Sequence, residues 1–139
     1  MADTIFAQAT APGRAGVAII RISGPQAVAA AERLGAGRLS PRRASLQRLV
    51  DPEDGTLIDE AILVHFSARA SFTGEDVIEI QCHGSPAVIR RLLHLLGRMP
   101  GLRIAVPGEF TRRALEHGRL DLAQVEGLAD LLAAETEAQ

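Results

Sequence analysis

Two short β-branched runs constrain this chain more than any other feature. Val17-Ala-Ile-Ile-Arg-Ile22 and Val77-Ile-Glu-Ile-Gln81 predict strands, the first of them buried. Further strands are expected at Thr4 to Thr10, Ser45 to Val50, Leu57 to Phe66 and Leu102 to Val106. The middle two flank Asp51-Pro-Glu-Asp-Gly55, a strong turn signal that makes them a hairpin. Helices are expected from Gly24-Pro25 to about Leu34, from Ser85-Pro86 to Gly97, and from Gly108 to Gly118. Proline fits a first helical turn, where its missing N–H costs nothing, and Ser85 reads as a cap. In the second helix Val88, Ile89, Leu92, Leu93, Leu95 and Leu96 form an apolar face, with Arg90 and Arg91 turned outward.

Strands and helices in this order lack a regular β-α-β-α rhythm, and a hairpin sits among them. The expected architecture is therefore α+β, a mixed β-sheet with packed helices. A last helix is expected from Asp121, which forms a capping box with Gln124. Its stripe of Leu122, Val125, Leu128, Ala129 and Leu132 needs a partner outside the compact domain. It meets no stop signal, so residues 120–139 are expected to open a second, helical domain after a first domain at 1–119.

Composition removes several chemistries. All 15 basic residues are Arg. Without lysine there is no P-loop and no Schiff base. Only 3% of residues are aromatic, so the core must be aliphatic, and base-stacking platforms are poorly supplied. A net charge of −2 gives no overall pull toward nucleic acid. The single cysteine, Cys82, excludes an intramolecular disulfide, fits a reducing cytoplasm and reads as core filler. Neither a signal peptide nor an apolar run of membrane-spanning length is present, so a soluble cytoplasmic protein with no membrane contact is expected.

Three glycine-marked segments present charged side chains beside a strand or helix start: Ala11-Pro-Gly-Arg-Ala-Gly16, Ser71-Phe-Thr-Gly-Glu-Asp76 and Val106-Pro-Gly-Glu-Phe110. Each reads as an ordinary turn or as part of a binding site. Period-2 geometry puts Val77, Glu79 and Gln81 on one face and Ile78, Ile80 and Cys82 on the other. Glu79 is then either on a solvated face or in a pocket, where its carboxylate accepts paired N–H donors from a flat heterocycle. Arg21, near the end of a buried strand, pairs with an acidic residue or holds a ligand anion. Arg119 reads as a cation at a helix C-terminus or as an anion contact. Catalysis by His83 and Ser85 has no supporting acid or oxyanion site, and His65, His83, His94 and His117 lack metal-ligand spacing. No catalytic or metal residue is assigned. Arg38, Arg42, Arg43 and Arg48 read as a solvated run or as a phosphate-contact patch.

Four blocks carry a resemblance across nearly the whole chain: 4–24, Ser71-Phe-Thr-Gly-Glu-Asp-Val-Ile-Glu-Ile-Gln-Cys-His-Gly84, Pro107-Gly-Glu-Phe-Thr-Arg-Arg-Ala114 and Leu120-Asp-Leu-Ala-Gln-Val-Glu126. In order and spacing they resemble the amino-terminal domain of the bacterial tRNA-modification GTPases called MnmE or TrmE. The resemblance implies a fold like tetrahydrofolate-binding domains of one-carbon enzymes, and a homodimer formed through this domain. It implies a parent protein with a helical domain and an inserted G domain, to which GTP, Mg2+ and K+ belong. The parent acts with the flavin-containing MnmG (GidA) on C5 of the wobble uridine in tRNA. The implied cofactor is 5-formyltetrahydrofolate or another tetrahydrofolate derivative, contacted by Arg21, Glu79 and Arg119. Arg119 departs from the family's usual Lys, keeping the charge with a different reach. Cys82 stands where Gly is frequent, which fits an apolar core or narrows a pocket wall. A stand-alone folate-dependent one-carbon transfer enzyme and a direct tRNA-binding module are the alternative functions.

Overall fold

The computed structural model describes residues 3–9 and 16–120. Six strands and three α-helices follow in chain order among them: β1 (Thr4–Gln8), β2 (Val17–Ser23), α1 (Ala27–Arg33), β3 (Ser45–Val50), β4 (Leu57–Phe66), β5 (Val77–His83), α2 (Pro86–Gly97), β6 (Leu102–Ile104) and α3 (Glu109–Glu116). One short 3-10 turn, Ala68–Ala70, lies between β4 and β5. The strands form one sheet in the order β3-β4-β5-β2-β1-β6. Neighbours are antiparallel except β1 and β6, which are parallel. The sheet is therefore mixed and the domain is α+β, as the irregular order of elements required.

The two β-branched runs lie side by side at the centre. Ile20 faces Ile80 and Ile22 faces Ile78 across the β2–β5 ladder. These four side chains, with Ala18, Cys82, Ala61 and Leu63, are buried on one face of the sheet. Ala27, Ala30, Ala31 and Leu34 from the α1 region, and Leu92, Leu95 and Leu96 from α2, complete this core. Each large aliphatic side chain so buried contributes about 1.5–3 kcal/mol relative to exposure. A register slip of one residue would turn the isoleucines to the other face and bring Arg21 and Glu79 into the core, so the pairing is strongly specified.

Local devices fix the helix ends. Gly24, at φ +140°, ends β2 where an added Cβ would lie 2.7 Å from Thr4 Cα. That close approach lets Thr4 Oγ1 accept the backbone N–H of Gln26 at 2.8 Å, so α1 is capped by a side chain from β1. Ser85 does occupy the N-cap position of α2, with Pro86 following, but its side chain makes no capping hydrogen bond. Arg91 is not simply solvated: its Nη2 donates to Asp51 Oδ2 at 3.3 Å and to Thr56 Oγ1. It thereby ties α2 to the β3–β4 turn. The turn at 11–15 and the helix expected from Asp121 lie outside the described residues.

Candidate functional site

Helices α1 and α2 cover one sheet face; the other, on whose edge α3 packs through Arg113, is partly open. Strand register lays out a row of side chains on that open face, in which Glu79 lies between Val64 of β4 and Arg21 of β2. In the next row Val77 lies between Phe66 and Ser23. The segment 67–76 folds over the end of these rows. Arg21, Phe66, Ala70, Phe72, Val77 and Glu79 then enclose a pocket of about 300 Å³, at the small end of the range for ligand sites.

Arg21 and Glu79 form an ion pair of 3.6 Å, with side chains 30% and 18% exposed. A guanidinium offers five N–H donors and a carboxylate several lone-pair sites. One contact of this length leaves most of that capacity open to a ligand. Phe66 and Phe72 supply flat apolar surface beside the pair. A site of this make-up suits a planar ring bearing N–H donors and polar or anionic substituents.

Arg119 lies apart from this lining. Its Nη2 donates to the carbonyl of Ala68 at 2.7 Å, two residues from Ala70 in the pocket wall. Cys82 is on the helix-covered face, opposite Glu79, and narrows no wall of this pocket. Burial pushes its thiol up to about 11. His83 is bound to Asp59, with Nδ1 2.7 Å from Oδ1 and the His83 backbone N–H donating to Oδ2 at 2.8 Å. Arg48 pairs with Glu60 at 3.9 Å on the exposed face.

Sequence reasoning missed a buried ionic cluster beside the pocket. Arg113 of α3, 7% exposed, lies 3.1 Å from Glu75, 3.1 Å from Asp3 and 3.6 Å from Glu109. It also donates to the Asp3 carbonyl at 2.7 Å. Glu75 accepts a further bond from Ser23 Oγ at 2.9 Å, and that hydroxyl lies 2.7 Å from Thr73 Oγ1. Glu109, 1% exposed, is gripped by Arg103 and accepts the N–H of Val106 at 3.0 Å, which closes the start of α3. Arg103's hydrogen bonds hold the Glu109 carboxyl down to about 2, outweighing the opposing effect of burial. The segments around Gly74 and Gly108 were legible separately, as turns presenting charge. That Glu75 and Glu109 converge on one arginine was not, because only folding brings them together.

The fold and its site define an α+β domain with a half-open sheet and a small pocket built on an Arg–Glu pair. Residues 4–119 match the family described as GTP-binding protein TrmE N-terminus, and the chain belongs to that family. It is 59% identical over 137 residues to the tRNA modification GTPase MnmE of Dinoroseobacter shibae, covering 99% of this chain and 32% of that protein. The corresponding figures are 56% over 138 residues, 99% and 32%, for the MnmE of Parvibaculum lavamentivorans. For that of Phenylobacterium zucineum they are 54% over 139 residues, 100% and 31%. The chain thus spans about a third of the length of these relatives.

Proposed function

We propose that this domain binds a tetrahydrofolate derivative in the pocket on its open sheet face. The observation that carries the reading is the Arg21–Glu79 pair, 3.6 Å apart and with hydrogen-bonding capacity to spare, beside Phe66 and Phe72. Glu79 accepts N–H groups of the pterin ring, and Arg21 serves the ligand's other polar groups. Arg119 acts from beside the 67–76 segment, toward the anionic part of the ligand. The folate supplies a one-carbon unit; the protein's part is to bind and orient it. Among the described residues, the pocket lining holds no titratable group other than Arg21 and Glu79, which favours a binding module over a self-sufficient transferase.

In the same reading residues 1–119 form the folate-binding and dimerisation domain, and 120–139 open a helical domain. The whole protein is a cytoplasmic GTPase that works with the flavoprotein MnmG (GidA) to modify C5 of the wobble uridine in tRNA. GTP, Mg2+ and K+ sites belong to a G domain, since this chain has no lysine for a P-loop. The exposed apolar side chains Leu46, Ile62 and Val17 support a homodimer through the open face. Among the described residues no helix is long and apolar enough to cross a membrane.

The chain's four phenylalanines test the pocket's place. With labelled Phe, titration with 5-formyltetrahydrofolate should shift the ring signals of Phe66 and Phe72 and leave Phe6, buried in the core, unmoved. Saturable binding that leaves Phe66 and Phe72 unchanged would put the folate elsewhere.

A further inference from the structure

The wall of the pocket that carries Ala70 and Phe72 belongs to no strand, and Phe72 is itself 42% exposed. Little apolar burial therefore holds this wall in place. Its anchors are polar, and they lie behind it. Within the segment, Gly74 N–H donates to Ser71 Oγ at 3.0 Å and Glu75 N–H to Thr73 Oγ1 at 3.3 Å. Toward the sheet, Ser23 reaches both Thr73 and Glu75. Toward α3, both Glu75 carboxylate oxygens accept from Arg113 Nη1, at 3.1 and 3.2 Å.

We infer that Arg113 is a positioning residue for the pocket: by holding Glu75 it fixes the 71–76 segment, and with it Phe72, over Arg21 and Glu79. This rests on the folate reading above and adds to it a residue that touches no part of the pocket lining. Arg113 is suited to the role because its Nη1 donates to both Glu75 oxygens while Nη2 donates to Asp3 Oδ1 at 3.1 Å. One planar group thus joins α3, the start of β1 and the pocket wall, which a point-like ammonium could not do at once. The Arg113 and Glu75 side chains are 7% and 9% exposed, so water competes weakly for the bonds between them, and loss of either partner leaves an uncompensated charge.

The test measures 5-formyltetrahydrofolate affinity by calorimetry for the wild-type chain, Arg113→Gln, Glu75→Gln and the double variant. Leu96→Ala, a core truncation remote from the pocket, serves as the control for lost stability. Arg113→Gln and Glu75→Gln should each weaken binding roughly tenfold, and the double variant no further than the weaker single one. Leu96→Ala should melt earlier yet bind as the wild type does. Unchanged affinity in folded Arg113→Gln, or losses that simply add, would overturn the inference. If the cluster variants do not fold, hydrogen exchange on the wild type decides. Ligand should then slow exchange across 109–117 as well as 71–76, and protection confined to β2 and β5 would overturn the role of Arg113. Failure of the wild type to bind at all would instead sink the folate reading itself.

Discussion

Arg21 and Glu79 are direct partners across the β2–β5 ladder, and both side chains point away from α1 and α2 into the half-open pocket. Their neighbours in the same strands, Ile20, Ile22, Ile78 and Ile80, are fully buried on the other face. The aliphatic core and the charged pair are thus two sides of one register. The core fixes the spacing of the pair, which needs no further support from the sheet side.

Glu109 gives the domain a defined acid sensitivity. Hydrogen bonds from Arg103 hold its folded pKa down to about 2, well below the usual carboxylate range. The unfolded chain therefore binds more protons over this interval. The stability contributed by Glu109 is complete above the unfolded value and is lost as pH falls through it toward about 2. Urea midpoints should fall between about pH 6 and about pH 3, and Glu109→Gln should flatten part of that slope. An equal pH dependence in the variant would show that other carboxylates carry the effect.

Gly74 is required by both backbone and packing. It has φ +83°, and an added Cβ would lie 2.5 Å from His117 Cβ. Gly74→Ala should cost about 2 kcal/mol or more in chemical denaturation, from left-handed strain together with overpacking against the end of α3. A loss within the ordinary surface range of about 0.5 kcal/mol would mean that the segment shifts freely.

Cys82 should behave as core. Its thiol is buried and raised to about 11, by desolvation first and by the nearby Asp59 charge second. A thiol reagent at about pH 8 should react slowly with the native chain and rapidly in urea. Fast native labelling would contradict the placement of β5.

A dimer through the open face would cover Leu46 and Ile62, which are 67% and 39% exposed and face each other across β3 and β4. Sedimentation of the wild type should then show a dimer. Leu46→Glu should weaken association roughly 30-fold, as loss of an apolar anchor does. A monomeric wild type, or a variant that dimerises equally well, would place the interface elsewhere.

The local patterns were readable because they depend on neighbouring residues. The alternation along Val77 to Gln81 set the two faces of β5, and glycine and proline marked most element boundaries within a few residues. The tertiary devices were not readable. Thr4 accepts the N–H of Gln26, the residue before α1 and twenty-two positions later, Arg91 holds the hairpin turn, and Arg113 finds Glu75 thirty-eight positions away. No periodicity encodes such pairs. Arg119 illustrates the difference: resemblance associates it with the ligand, and only the fold shows its Nη2 donating to the Ala68 carbonyl, two residues from the pocket wall.

The most direct measurement is calorimetric titration of the purified chain with 5-formyltetrahydrofolate, for the wild type and Glu79→Ala. The expected result is saturable binding near one ligand per chain, weakened roughly 100-fold in the variant by loss of charge-assisted hydrogen bonds. Absence of binding to the folded wild-type chain, or equal affinity in Glu79→Ala, would contradict the assignment of the folate to the Arg21–Glu79 pocket.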